Sequence, residues 1–223
     1  MATVLSVTSS ELVTPKIRRL WFRSDDLSAF EGSDCTDRYV KLVFPRPGVD
    51  YPDDLDMRTL RRTLPPHLLP TVRTYTALFP DMAAGTLAID FVIHGDEGVA
   101  GPWAQAARPG DTLVVNGPGG GYRPDPCADW HLLVGDEAAV PAVTAALSVL
   151  PDDAVARVVV LVDDAAAEPE LRLPSEAEVQ FVHRRKQPDE AALARAVRNL
   201  AWLPGRVHAF VHGEAQEIMH GVR

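Results

Sequence analysis

The sequence predicts an antiparallel β-barrel or sandwich in the first half of the chain and a doubly wound parallel sheet in the second. Short β-branched runs separated by Gly, Pro and Asp clusters fill the first half, as in closed antiparallel folds. In the second half, apolar runs alternate with Ala-rich segments of helical spacing, as in α/β proteins. At 223 residues, the chain is long enough for two small domains, each with its own core.

Six strands and two helices are predicted in the first half. The strands are residues 3–9, 14–23, 38–44, 71–79, 86–94 and 111–116. One helix is predicted at residues 55–64, within a charged, Pro-containing insertion at residues 50–70. The other is predicted at residues 101–107, because Pro102 suits a first helical turn and the following Arg-Pro-Gly ends the helix.

Four strands and two helices are predicted in the second half. The strands are residues 131–134, 157–162, 179–183 and 206–211, and the helices are residues 137–150 and 189–202. Between the halves, residues 120–126 are rich in Gly and Pro, which is typical of a linker. We therefore expect a β-barrel domain at residues 1–124 and an α/β domain at residues 128–223.

The bulk composition excludes several classes of function. The net charge of −9 argues against a general nucleic-acid or membrane-surface binder, because both need a basic field. No apolar run approaches the roughly 20 residues of a membrane span, and the N-terminus lacks the pattern of a signal peptide. The 2 cysteines and 7 histidines show no metal-ligand spacing. We therefore expect a cytoplasmic protein with no metal on its own side chains and no nucleic-acid or membrane partner.

The most informative motif is Arg73-Thr74-Tyr75-Thr76, inside the fourth predicted strand. Because side chains alternate along a strand, Arg73 and Tyr75 point to one face and the two threonines to the other. Arg provides a fork of donors for phosphate, and Tyr provides a flat surface for a ring. A flavin nucleotide has both a phosphate and a ring. Taken alone, the motif also fits an edge strand with an exposed Arg and a half-buried Tyr.

Two glycine-containing segments are candidates to hold such a ligand. His94 and Gly95 end a predicted strand shortly before the helix start at Gly101 and Trp103, where free N–H groups can bind a phosphate. Residues 117–121, Gly-Pro-Gly-Gly-Gly, close the β half as a turn that a ligand approaches or as a flexible linker. The alternative for His94 is an ordinary turn histidine, and for the glycines it is ordinary loop chemistry.

The α/β half has a candidate crevice at the carboxyl ends of two strands. Gly135-Asp136-Glu137 follows the first predicted strand, and Gly213-Glu214 follows the last. Open α/β sheets bind ligands at this edge, so these residues are expected to face one crevice. The segment is not Gly-x-Gly-x-x-Gly, so the standard dinucleotide fingerprint is absent. Asp136 and Glu137 also fit a helix cap and a first turn without any ligand.

Two groups of basic residues remain. Lys41 is a cation in the apolar strand at residues 38–44, and most strand lysines are solvated surface residues. Arg58, Arg61 and Arg62 lie in the insertion, where they fit a solvated helix face better than a site.

In combination, these segments resemble the siderophore-interacting protein family, the FAD-containing ferric-siderophore reductases. The matching segments are residues 73–76, 90–95, 101–104, 107–111, 117–120 and 135–142. Each is weak alone, but their order and spacing match across most of the chain. The resemblance implies a flavin-binding β-barrel followed by a NAD(P)H-binding-like α/β domain, as in ferredoxin reductases.

The resemblance also implies roles for individual residues. The implied FAD-binding residues are Arg73, Thr74, Tyr75, Thr76, Asp90, His94, Gly95, Gly101, Trp103, Gly117 and Gly119. The implied donor-crevice residues are Gly135, Asp136, Glu137, Gly213 and Glu214. Lys41 matches a family lysine at the substrate pocket, where it is expected to meet an anionic siderophore.

The chain departs from the family pattern at two places. Ala138 stands where the family usually has Thr after Gly-Asp-Glu, which removes a hydroxyl from the donor crevice. The chain also ends at Arg223, before the last helix and the Tyr-Trp segment of other members, so a C-terminally short α/β domain is expected.

The resulting prediction is an enzyme in which FAD reduces a ferric siderophore and Fe(II) is released. Electrons would come from NAD(P)H or a ferredoxin, and iron would arrive with the substrate. Hard oxygen ligands hold Fe(II) more weakly than Fe(III), so reduction promotes release. Two alternatives stay open: a general flavin reductase or diaphorase with other acceptors, and a non-catalytic siderophore- or flavin-binding module.

Overall fold

The computed structural model describes residues 2–52, 55–93, 98–184 and 191–213 of the chain. The chain divides into two compact units. One unit comprises Met1–Leu12, Lys16–Asp34 and Arg38–Gly121, and the other comprises Val13–Pro15, Cys35–Asp37 and Tyr122–Arg223. We propose that the barrel domain covers residues 1–124 and the α/β domain covers residues 128–223.

The first unit is a closed antiparallel barrel of six strands. The strands are β1 (Ala2–Thr14), β2 (Ile17–Arg23), β3 (Tyr39–Phe44), β4 (Thr71–Asp81), β5 (Thr86–Val92) and β6 (Thr112–Gly119). Its helices are α1 (Met57–Thr63) and α2 (Ala100–Ala106). The order around the barrel is β1-β2-β5-β4-β3-β6, which confirms a barrel rather than a sandwich. Buried residues such as Leu5, Leu20, Leu42 and Ile89 fill its interior.

The first strand is longer than the sequence predicts. β1 ends at Thr14 instead of residue 9, because polar side chains in its second half bond across to β2. Glu11 Oε1 accepts a hydrogen bond from Trp21 Nε1 at 3.1 Å, and Thr8 Oγ1 donates to the Trp21 carbonyl at 3.1 Å. These cross-strand contacts extend the strand through an exposed segment that lacks apolar alternation.

The insertion between β3 and β4 covers part of the outer face of the barrel. The buried side chains of Met57 and Leu60 on α1 belong to one apolar cluster with Val43, Val72 and Val114. These three valines alternate with the interior residues of β3, β4 and β6, so they point outward. The apolar cluster therefore fixes α1 against the outside of the barrel, beside the start of β4.

The second unit is a four-stranded parallel sheet with helices. The elements are β7 (Trp130–Asp136), α3 (Val140–Ser148), β8 (Val155–Val162), β9 (Glu176–His183), α4 (Ala192–Arg198) and β10 (Val207–His212). The sheet order is β10-β7-β8-β9, so the chain moves outward from β7 to β9 and then returns to the other side of β7. The winding therefore reverses between β7 and β10, the point at which such sheets bind ligands.

Helices cover the sheet in the way that a doubly wound fold requires. Leu193 of α4 packs in one cluster with Trp130 and Leu132 of β7. α3 contacts β7 and begins beside Gly135, whose side-chain position faces Ala139. Gly135 and Leu132 point to opposite faces of the strand, so the two helices lie on opposite faces of the sheet. The predicted doubly wound sheet is confirmed.

The first helix of the second unit is shorter than the sequence predicts. α3 covers Val140–Ser148 instead of residues 137–150. It starts late because the Asp136 carboxylate accepts a hydrogen bond from the Ala139 backbone N–H, which forms a turn before the helix.

Within the described ranges, no helix has both the length and the apolar character that crossing a membrane requires.

A buried histidine on β7 should make stability depend on pH. Burial lowers the pKa of His131, His208 lowers it further, and Asp125 partly raises it. The unfolded chain binds this proton with a pKa of about 6.5, so it gains protons before the folded state does. Stability should therefore fall as the pH drops through about 6.5, and this loss should be smaller in His131→Gln.

Thermal midpoints at about pH 7.5 and about pH 5.5 measure this difference. The exposed His67 provides a matched control, since His67→Gln should lose as much stability as the parent protein. An equal acid-induced loss in His131→Gln and in the parent would rule out His131 as the source.

Candidate functional site

The start of β4 carries the Arg-Thr-Tyr-Thr motif at a place where the strand is paired along one edge. On the β3 side, Thr74 lies opposite Lys41 and Tyr75 lies opposite Val40. In the described residues, the ladder to β5 begins only at Ala77. The motif therefore combines a fixed register with an edge that a ligand can approach.

Arg73 is exposed on the barrel unit. Its Nη1 atom donates one hydrogen bond, to the carbonyl of the preceding Val72, at 3.0 Å. A guanidinium has five N–H donors in a fork that matches phosphate oxygens. Arg73 can therefore hold a phosphate while keeping its backbone contact.

Tyr75 is half-buried and belongs to a row of aromatic rings. Its ring centroid lies 4.8 Å from that of Phe91, and the Phe91 centroid lies 6.0 Å from that of Trp103. Trp103 also meets Phe44 edge-on, at 6.0 Å. Burial raises the pKa of the Tyr75 phenol, although Arg73 opposes this, so the ring stays neutral at physiological pH. The row fixes Tyr75 as a neutral aromatic surface.

Lys41 lies beside the motif, on the other face of the β3–β4 pair. Its ammonium donates a hydrogen bond to Thr74 Oγ1 at 2.5 Å and lies 5.2 Å from the centre of the Tyr39 ring. Both contacts are attractive for a cation, so they hold an exposed ammonium in place. Thr76 pairs with Tyr39 and is buried. Sequence reasoning missed Tyr39, although its place two residues before Lys41 on a strand is a usable signal.

Gly117 and Gly119 make room for Tyr39. A Cβ atom at Gly119 would overlap the Tyr39 ring, and one at Gly117 would lie 3.1 Å from the Tyr39 carbonyl oxygen. Gly117 also has a φ of +131°, which favours glycine. The structure therefore gives both glycines a packing role next to Lys41, whether or not a ligand approaches them.

Asp90 is bound by an ion pair within the barrel. Arg19 on β2 donates two hydrogen bonds to its carboxylate, at 2.7 and 2.8 Å. The Asp90 side chain is only 2% exposed, and the guanidinium also lies 5.4 Å from the Phe79 ring centre. The structure thus assigns Asp90 a partner that the local sequence pattern does not indicate, since Arg19 is 71 residues away.

Two further predicted cofactor residues, Gly101 and Trp103, lie on α2. Gly101 is buried in its first turn, and a Cβ atom there would lie 3.4 Å from the Val92 carbonyl oxygen. Gly101 therefore lets α2 pack closely on the end of β5. His94 and Gly95 lie outside the described residues.

The candidate donor crevice forms at the carboxyl ends of β7 and β10. Asp136 is buried, and its Oδ1 atom accepts hydrogen bonds from the backbone N–H groups of Ala138 and Ala139, at 3.0 and 3.2 Å. Gly213 directly follows β10, and a Cβ atom there would lie 2.9 Å from the Asp136 carboxylate. The structure therefore brings Gly135, Asp136 and Gly213 together, whereas Glu214 lies outside the described residues.

Glu137 is bound to an arginine that sequence reasoning missed. Arg184, directly after β9, donates to both Glu137 oxygens from 2.9 to 3.2 Å and to Asp163 at 2.9 Å. Asp163 directly follows β8. The rule that strand carboxyl ends meet at one edge could have indicated both residues. The edge thus carries a clamped guanidinium between two carboxylates.

The arrangement on the barrel fits a flavin nucleotide. It offers an exposed guanidinium for phosphate and a neutral, rigidly packed phenol for the ring, two residues apart on the same face of β4. Trp103 supports that phenol through Phe91. Among the residues that the structure describes, no group of three or more His, Cys, Asp or Glu side chains is arranged for a metal ion.

A six-stranded barrel followed by a parallel sheet with a carboxyl-end crevice is the fold of ferredoxin-reductase-like proteins. Residues 6–122 match the siderophore-interacting FAD-binding domain, and residues 128–223 match the siderophore-interacting protein domain. The chain therefore belongs to the siderophore-interacting protein family. FAD as the cofactor and a flavin-dependent oxidoreductase as the class of enzyme are thereby confirmed.

Similar proteins cover almost the whole chain. Rv2895c of Mycobacterium tuberculosis is 43% identical over 97% of this chain and 81% of its own length. The ferric vibriobactin reductase ViuB of Vibrio cholerae is 30% identical over 97% of this chain and 80% of its own length. The crystal structure of a siderophore utilization protein from T. fusca is 35% identical, with a TM-score of 0.79 over 98% of this chain and 83% of that one.

We expect Arg73→Ala to weaken FAD binding by at least about 1.5 kcal/mol, because a charge-assisted hydrogen bond to phosphate is lost. This change is roughly a tenfold increase in Kd, measurable by flavin fluorescence in a titration of the apoprotein. The matched control is Arg23→Ala, which removes another exposed arginine of the barrel unit. Equal Kd values for both variants and the parent would remove Arg73 from the FAD site.

We expect Arg19→Met to destabilise the protein by about 3 kcal/mol, because it leaves the buried Asp90 carboxylate without its partner. Denaturant unfolding measures the loss, and Asp90→Asn combined with Arg19→Met should recover part of it. The FAD content of the folded fraction should stay unchanged if Asp90 serves the barrel alone. A selective loss of FAD at unchanged stability would instead support the role of Asp90 in cofactor binding.

Proposed function

We propose that this protein uses FAD to reduce the iron of a ferric siderophore and so releases Fe(II). The observation that carries the proposal is the strand pair on which Arg73 and Tyr75 share one face and Lys41 lies on the other. Support also comes from ViuB, whose name describes a ferric vibriobactin reductase. Bound FAD supplies the redox chemistry: it takes up electrons from a donor and passes them singly to ferric iron.

The barrel residues bind and orient the cofactor in this proposal. Arg73 neutralises a phosphate, and Tyr75 presents its neutral ring to the flavin. Because the Tyr75 ring packs on Phe91, it is already held in place before the cofactor binds. Preformed surfaces of this kind reduce the ordering cost of binding.

Lys41 attracts and positions an anionic chelate. The net charge of −9 repels anions at long range, but salt screens that repulsion beyond about 8–10 Å. At short range, the ammonium held by Thr74 and Tyr39 dominates. Its remaining N–H groups can donate to the oxygen ligands of iron. No side chain needs to act as a nucleophile or general base.

The donor in this proposal is NAD(P)H or a ferredoxin. A nicotinamide nucleotide would enter the carboxyl-end crevice at Asp136 and Gly213, where β7 and β10 meet. Arg184 lies at the same edge and would meet its phosphates, although Glu137 and Asp163 already bind it. The cytoplasmic location predicted from the sequence stays part of the proposal.

An anaerobic two-step experiment tests the proposed function. The FAD-loaded protein is reduced chemically with dithionite, the excess is removed, and a ferric siderophore is added. Recovery of flavin absorbance at about 450 nm, with two Fe(II) trapped by ferrozine for each flavin, would support siderophore reduction. Recovery with quinones or dyes but not with ferric siderophores would identify a general flavin reductase instead. No recovery with any acceptor would leave only a binding module.

We expect Lys41→Met to raise KM for an anionic ferric siderophore about fivefold while kcat changes little, because a partly exposed charge contact is lost. Lys41→Arg should restore most of the affinity, since it keeps the charge. Arg23→Met removes the same charge elsewhere on the barrel unit and serves as the control. Steady-state kinetics would contradict this role for Lys41 if both methionine variants behaved alike.

A further inference from the structure

The exposed side of α1 carries three arginines. Arg61 and Arg62 follow Arg58 by three and four residues, which puts the three on one face of the helix, and all three are exposed. The opposite face, with Met57 and Leu60, is buried against the barrel. We call Arg58, Arg61 and Arg62 the arginine stripe. It concentrates positive charge on a chain whose net charge is −9.

The ion pairs of the described residues do not use the charges of the arginine stripe. Among the described residues, none of the ion pairs involves these three guanidinium groups. Asp56 is the nearest acid on the same helix, and it caps the helix start by accepting from the Arg58 backbone N–H and from Thr59 Oγ1. An Arg side chain that binds no partner of its own remains available to an external anion.

The arginine stripe is anchored beside the proposed flavin strand. Asn116 on β6 accepts a hydrogen bond from the Met57 backbone N–H at 3.0 Å and donates to the Leu55 carbonyl at 3.2 Å. The buried face of α1 also packs on Val72, the residue directly before Arg73. The helix is therefore held at both its start and its buried face, next to the residue proposed to bind FAD.

We propose that the arginine stripe docks an acidic electron-carrier protein, which delivers electrons to the flavin. This inference rests on the proposed function and names its donor class. Three charges on a convex helix match an extended acidic surface, whereas a small chelate needs a concave site. Two clefts of the described part of the chain, one beside Arg23 and one beside His131, are not lined by the stripe. Charge complementarity then favours a protein partner.

The candidate nucleotide crevice gives a second reason for a protein donor. It lacks the Gly-rich dinucleotide fingerprint, and among the described residues of this edge the Arg184 guanidinium is shared by Glu137 and Asp163. A nucleotide phosphate would have to compete with two carboxylates for that group. A carrier that docks on α1 avoids this competition.

The electron count of the proposed reaction balances. Each docked carrier gives one electron and is oxidised, so two docking events and two protons reduce one FAD. Two equivalents of ferric siderophore then take one electron each and become Fe(II), and the two protons are released. The reductant is a reduced one-electron carrier, such as a [2Fe–2S] ferredoxin.

Binding of an acidic plant-type [2Fe–2S] ferredoxin to the FAD-loaded protein tests the inference directly. The test variant carries Arg58→Gln, Arg61→Gln and Arg62→Gln together. The control carries Arg23→Gln, Arg108→Gln and Arg172→Gln, which remove the same charge from other exposed sites. Calorimetric titration at about 20 mM salt should give a Kd at least about tenfold weaker for the test variant and within about twofold of the parent for the control.

Salt and charge-conserving variants complete the test. At about 300 mM salt, the affinity of the parent should fall towards that of the test variant. Replacing the three arginines by lysines should keep most of the binding, which separates charge from any loss of folding. Equal ferredoxin binding by the test variant and the parent would overturn the inference. So would an effect confined to KM for an anionic ferric siderophore, since the stripe would then serve the substrate.

A separate measurement tests the proposed function without the carrier protein. Reoxidation of the dithionite-reduced parent by ferric siderophore needs no carrier, so its failure would contradict siderophore reduction and leave the binding result intact. Conversely, normal reoxidation without any stripe-dependent ferredoxin binding would overturn only the inference about the donor.

Discussion

The pairing register of β3 and β4 is the constraint on which the proposed site depends. It sets Thr74 opposite Lys41 and Tyr75 opposite Val40. Because side chains alternate with a period of two, a slip by one residue would exchange the faces of every side chain on the strand. Lys41 would then point at the barrel core, where an unpaired charge is costly, and Tyr75 would lose its place on Phe91.

The same register gives each face of the strand pair its own task. Tyr75 and its aromatic row belong to the interior cluster and make the rigid surface that we propose for the cofactor. Outward-pointing residues follow a second pattern, in which Val43 and Val72 anchor α1 while Lys41 faces solvent. The proposed contacts with the cofactor, the siderophore and the electron carrier can therefore all lie around one short segment of β3 and β4. In the second unit, the reversal of winding at β7 plays the corresponding part by joining Asp136 to the end of β10.

Local patterns in the sequence predict the strands and the Arg-Thr-Tyr-Thr motif, but they do not predict which distant residues form ion pairs. Strand alternation and turn residues are enough to locate β4 and to separate Arg73 from Thr74 by face. The Arg19–Asp90 pair joins residues 71 apart, and the contact of Arg184 with Glu137 joins residues 47 apart. Such pairs depend on which strands become neighbours, which local spacing does not encode. The sequence also indicates no reason for Gly119, because the Tyr39 ring that fills its side-chain position comes from another strand.

A crystal structure of the FAD-loaded protein would test the central claim most directly, namely that the start of β4 holds the flavin nucleotide. The account predicts the flavin ring within about 4 Å of Tyr75 and a phosphate oxygen at hydrogen-bond distance from the Arg73 guanidinium. It also predicts that the Lys41–Thr74 contact is kept in the loaded state. A flavin bound elsewhere, with Arg73 still directed to solvent, would contradict the account.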